Sequence, residues 1–74
     1  MNLDRLYDLT EKENIKVYDW YIEDANGAFI NIDKINVIAL NHDNIGTYIE
    51  EKCVLAEELG HYYTRSNIFS VLSR

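Results

Sequence analysis

The chain has 74 residues, 47% of them hydrophobic, and 7 basic against 13 acidic residues give a net charge of −6. That is enough for one small domain, and a chain of this size buries only about 60% of its unfolded surface, so its stability is expected to be small. The acidic balance argues against direct nucleic-acid binding, which needs a basic patch, and no run reaches the roughly 18 apolar residues of a membrane span.

From the N-terminus, residues 2–13 are expected to be helical. Leu3, Leu6, Tyr7 and Leu9 form an apolar stripe opposite acids and Lys12, and Asn14 is a suitable stop. Residues 15–22, IKVYDWYI, are rich in β-branched and aromatic side chains and predict a strand. Asn26-Gly27 is a strong hairpin signal. A short strand over 28–32, a tight connection at Asp33-Lys34 and an apolar strand over 35–40 complete an expected antiparallel meander.

After a loop at 41–46, Thr47-Tyr48-Ile49-Glu50 has the form of a capping box. It predicts a helix from Tyr48 to Tyr63 or Thr64, with Ile49, Cys53, Ala56, Leu59, Gly60 and Tyr63 as its core stripe. Gly60 in mid-helix costs up to about 1 kcal/mol against Ala, so close approach of another element is expected there. The end of the chain carries Ile68, Phe69, Val71 and Leu72. Natural domains seldom stop in such a stretch, which suggests a truncated chain or an end that docks elsewhere. The fold class expected is α+β: an N-terminal helix, a three-stranded antiparallel sheet, and a second helix, in one domain over 1–74.

Cys53 is the sole cysteine. It rules out an intrachain disulfide and fits a reducing compartment. The N-terminus, MNLDR, lacks the apolar segment of a signal peptide, so the expected location is the cytoplasm. The three glycines are isolated, and no phosphate-binding loop is present. Nothing in the sequence specifies an oligomeric state.

Residues 54–64 read VLAEELGHYYT. The zinc-protease signature HExxH places two His ligands on one helix face with a Glu after the first. Here the window is Glu57-Glu58-Leu59-Gly60-His61, with Glu in the place of the first His. Glu57 and His61, at i and i+4, share a face. Glu58 sits beside them, where a carboxylate can take a proton from metal-bound water. The same letters also suit an acidic, solvated helix face, and on the window alone that reading has more weight. His42 is expected in solvent rather than on a metal. Cys53 is expected in packing, and Tyr48, Tyr62 and Tyr63 at the core and its rim.

The longer string EEKCVLAEELGHYYT resembles the active-site helix of the ImmA/IrrE-type metallopeptidases, whose usual core is similar to AHELGH and in a subset to AEELGH. The preceding order of helix, extended IKVY segment, short hairpin and apolar strand is also similar. The resemblance implies a minimal zincin-like fold, with His61 as a metal ligand, Glu57 in the place of the other, and Glu58 as general base. It also implies a third, acidic ligand from a helix beyond Arg74, so that 1–74 is an incomplete domain. Members act on repressor or other regulatory proteins of phages and mobile elements, which makes such a protein the implied partner and substrate. Glu57 departs from the pattern. A carboxylate can ligate zinc, but the added negative charge weakens the ion as a Lewis acid, and an oxygen-rich set favours Mn²⁺ or a similar ion over Zn²⁺. Weak or absent metal is expected for these 74 residues. Two other functions remain open: a non-catalytic relative serving as a protein-binding module, and an unrelated acidic domain that binds a protein through aromatic side chains.

Overall fold

A computed structural model describes residues 2–65. The apolar stretch at 68–72 lies outside the described residues. In chain order the elements are α1 (Leu3–Lys12), β1 (Ile15–Asp19), β2 (Gly27–Ile32), β3 (Ile35–Leu40) and α2 (Tyr48–Arg65). This is the expected α+β arrangement of helix, three-stranded sheet and helix.

Local chemistry accounts for the helix ends. Asn2 caps α1 by accepting from the Arg5 N–H at 2.9 Å. The chain leaves α1 through Asn14, at φ 58°, a left-handed conformation that Asn tolerates. At the start of α2 the Thr47 hydroxyl accepts from the Glu50 N–H at 3.1 Å, as a capping box requires. The Glu50 carboxylate reaches back one residue further than the motif prescribes, accepting from the Gly46 N–H at 3.0 Å.

The sheet departs from the expected meander. Its order is β1-β3-β2, with β1 parallel to β3 and β2 antiparallel to β3. The reason lies in the turns. Asp33 and Lys34, both at positive φ (51° and 70°), form the two-residue hairpin between β2 and β3. Asn26-Gly27 makes no hairpin: Gly27 is already the first residue of β2. The segment between β1 and β2 instead crosses the end of the sheet, gathered by Asn41, which is only 1% exposed. Its side-chain amide donates to the carbonyls of Ile22 (2.8 Å) and Ala25 (3.1 Å), and its backbone N–H donates to the Asn26 carbonyl (2.8 Å). The crossing leaves the second edge of β3 free for β1. β3, the most apolar strand, takes the centre, with Ile38, Ala39 and Leu40 buried.

Both helices contribute to one core. Leu6 of α1 and Leu55 and Leu59 of α2 cluster with Ile15, Ile38, Leu40 and the loop residue Ile45. Thr10, buried among them, satisfies its hydroxyl by donating to the Tyr7 carbonyl at 2.7 Å. Strand side chains alternate between faces. Val17, Phe29, Ile38 and Leu40 therefore face the helices. Tyr18, Ile30, Ile32 and Ile35 lie on the opposite face, and all four are exposed.

The core stripe of α2 also differs from expectation. Its buried side is Leu55, Glu58 and Leu59, flanked by the half-buried Val54 and Tyr62. Of the stripe expected from spacing, only Leu59 is buried; Ile49, Cys53, Ala56, Gly60 and Tyr63 are exposed. The two stripes lie on different sides of the helix. The one turned inward carries the larger side chains, which remove more apolar surface from water. The close approach expected at Gly60 is not found: among the described residues a Cβ there would meet nothing within 4 Å. No helix among the described residues is long and apolar enough to cross a membrane.

Candidate metal centre

The second half of α2 carries Glu57, Glu58 and His61. One ligand atom from each can be chosen so that all three lie within 4.8 Å of one another. The helix alone brings them together, since i and i+4 stack one turn apart and i+1 sits beside them. Glu57 and His61 are exposed, while Glu58 is only 6% exposed. An ion held by the exposed pair would thus be open to solvent on one side and bordered by a buried carboxylate on the other.

The sheet decides how deep Glu58 sits. Gly27, at the start of β2, faces α2. A Cβ at Gly27 would lie 2.6 Å from Val54 Cγ1, 3.2 Å from the Ala39 carbonyl oxygen and 3.4 Å from Glu58 Cγ. The missing side chain lets α2 close onto β2 at the level of the candidate ligands, a use of glycine for close approach. Sequence reasoning assigned Gly27 to a hairpin turn and missed this role, because the approach depends on an element thirty residues further along the chain.

Burial raises the Glu58 pKa above the ordinary carboxylate value; the Glu57 charge adds to the rise, and His61 opposes it. A carboxyl shifted in this direction is better suited to holding a proton near neutrality than an exposed Glu. Aromatic residues border the same stretch of helix. Tyr62 packs edge-on against Phe29 of β2, with ring centroids 5.9 Å apart, and its hydroxyl donates to Glu13 at 2.8 Å.

The other singled-out residues separate from this group. Cys53 is exposed, so the packing role expected for it is not what the fold uses. Tyr62 is half-buried, whereas Tyr48 and Tyr63 are exposed. His42 is exposed, as expected, but its ring is not loose in solvent. Nδ1 lies 2.9 Å from Asp19 Oδ1, and Nε2 lies 3.6 Å from Glu51 Oε2. No signal in the sequence links these three residues, which come from a strand end, a loop and a helix.

The donor set fits a divalent cation in kind: one imidazole nitrogen and carboxylate oxygens, with hard oxygen in the majority. No family model matches the chain, and neither a curated protein nor a solved structure matches it. The resemblance to the ImmA/IrrE-type metallopeptidases therefore rests on the α2 string and the order of the elements.

Proposed function

We propose that the protein is a metal-dependent peptidase of the ImmA/IrrE type, acting on a repressor or other regulatory protein of a phage or mobile element. The observation that carries this reading is the grouping of Glu57, Glu58 and His61 on one helix, with ligand atoms within 4.8 Å. Glu57 and His61 hold the ion, and Glu58 serves as general base. A catalytic zinc site uses three protein ligands and a water, so a third ligand from outside this pair completes it. The ion, when bound, supplies Lewis acidity toward a peptide carbonyl. The protein's own part is to present two ligands on a rigid helix, to seat Glu58 against Gly27, and to accept a proton at the Glu58 carboxylate, whose raised pKa makes it a stronger base. With the Glu57 carboxylate and an acidic third ligand, the set is rich in oxygen and Mn²⁺ competes with Zn²⁺ for the site.

Calorimetric titration with Zn²⁺ and Mn²⁺ tests the reading. The wild-type chain takes up one of these ions weakly. Glu57→His restores two imidazoles and keeps or raises zinc affinity. Glu58→Gln leaves affinity nearly unchanged and removes any cleavage of a co-expressed repressor. In a protein that carries the third ligand, no binding heat and no thermal shift with either ion, or equal metal affinity of Glu57→Ala and wild type, ends the proposal.

A second reading, a non-catalytic protein-binding module, is favoured by a different observation. The sheet face turned away from the helices exposes Tyr18, Ile30, Ile32 and Ile35, and Trp20 is 65% exposed where β1 ends. Adjoining exposed apolar side chains of this size mark interaction surfaces. Ile32→Lys with Ile35→Lys would then abolish capture of the partner without altering metal uptake.

A further inference from the structure

Four titratable groups from four parts of the chain meet beside the first turns of α2. Asp19 ends β1, His42 lies in the loop after β3, Glu51 is on α2 and Tyr7 is on α1. Asp19 Oδ1 is 2.9 Å from His42 Nδ1 and also accepts from the His42 backbone N–H at 3.4 Å. On the other side of the ring, His42 Nε2 faces Glu51 Oε2 at 3.6 Å. The Tyr7 hydroxyl donates to that same Glu51 oxygen. On the loop itself the neighbouring charge is Asp43, whose N–H is held by the Asn41 side chain at 3.2 Å.

The stereochemistry of the ring makes this arrangement depend on one proton. An imidazolium donates from both nitrogens, whereas the neutral ring donates from one and presents a lone pair at the other. His42 has a carboxylate at each nitrogen, and the two belong to different elements. The charged ring therefore ties α2 to the end of β1. The neutral ring keeps the shorter Asp19 contact and turns a lone pair toward Glu51.

We propose that His42 is a proton-operated clasp, which in its charged form fixes the first turns of α2 to the sheet and in its neutral form releases Glu51. The device lies outside the candidate metal group and holds whether or not α2 binds an ion. It couples protonation to the seating of the helix that carries Glu57, Glu58 and His61.

The sign follows from the pairing. The hydrogen bond to Asp19 leads the causes that raise His42 above the ordinary histidine pKa, with Glu51 adding and burial opposing. The stabilisation is complete below the ordinary value of about 6.5 and is lost as pH rises through the folded value. Asp19 moves the other way: its hydrogen bonds from His42 lower its pKa. Its share is present above the ordinary aspartate value and is lost as pH falls through the lowered one. The clasp is closed between those limits.

The test is a pH titration of the wild-type chain followed by the assigned His42 ring resonance and by hydrogen exchange of the α2 amides, corrected for intrinsic rate. The His42 midpoint is expected above the ordinary histidine value. Exchange in the first two turns of α2 should rise as pH crosses it. In His42→Gln that pH dependence disappears. In Glu51→Gln the midpoint falls but stays above that of Asp19→Asn, because the closer contact is the one to Asp19. A wild-type midpoint at or below the ordinary value overturns the clasp, and so does α2 exchange with the same pH profile in wild type and His42→Gln. The wild-type titration decides the first point even if a variant fails to fold.

Discussion

Two groups in this molecule contain one histidine and two carboxylates, and they are built in opposite ways. Asp19, His42 and Glu51 come from three separate elements, and both ring nitrogens face an acid within 3.6 Å. Glu57, Glu58 and His61 come from five consecutive residues of one helix, and one ligand atom from each lies within 4.8 Å of the others. In the first group the ring is committed to protein partners, and what it does is hold elements together. In the second the donor atoms are near one another on a single helix, and their proximity could hold a metal ion. The same residue types thus serve two different arrangements, and which elements supply them decides what each group can do.

Substitutions can break or sharpen this contrast. The largest effect is expected at Gly27, on the side of the candidate metal group. Gly27→Val places carbon where Val54 Cγ1 is already 2.6 Å from an added Cβ. Overpacking of this kind costs about 1–3 kcal/mol, measured by denaturant unfolding, and it should weaken metal uptake while leaving the His42 titration in place. Loss of the His42 shift as well would mean that the two groups are not independent.

Next is Glu57→Ala. Losing a direct ligand should cost at least the roughly 10–100-fold in affinity that even outer partners of a metal site are worth. Thermal stability without metal should stay within about 0.5 kcal/mol of wild type, because Glu57 is exposed. Calorimetry and unfolding of the same samples separate the two effects.

Tyr7→Phe tests the other group. It removes the hydroxyl that donates to Glu51, at a cost of about 1 kcal/mol in unfolding free energy, with no change in metal affinity. Burial and Glu51 hold the Tyr7 phenol above its ordinary pKa, so the late part of the wild type's ultraviolet titration should shrink in Tyr7→Phe.

The smallest effect is a gain. Gly60→Ala puts a methyl into open space on α2 and should stabilise the chain by up to about 1 kcal/mol through helix propensity. A loss instead of a gain would show that this face of α2 is covered in solution.

Much of the local structure was legible. The Thr47 cap, the Asn14 stop, the β3 run and the spacing of Glu57, Glu58 and His61 all depend on residues within a few positions of one another, so sequence order carries them. The failures share a cause. Asn26-Gly27 and Asp33-Lys34 are both plausible turns, and which becomes the hairpin depends on where Asn41 anchors the crossing segment. The spacing of Ile49, Cys53, Ala56, Gly60 and Tyr63 is as helical as that of Val54, Leu55, Leu59 and Tyr62.

By itself, then, the sequence determined the α+β class, the element order, the capped start of α2 and the grouping of the three candidate ligands, because caps, turns and helical spacing act through near neighbours. Tertiary structure alone decided the parallel pairing of β1 with β3, the inward face of α2, the closeness of Gly27 to Glu58, and the meeting of Asp19, His42, Glu51 and Tyr7. Each of these depends on residues far apart in the chain. Each is settled by competition for the limited surface that a small core can bury, a competition that no local pattern records.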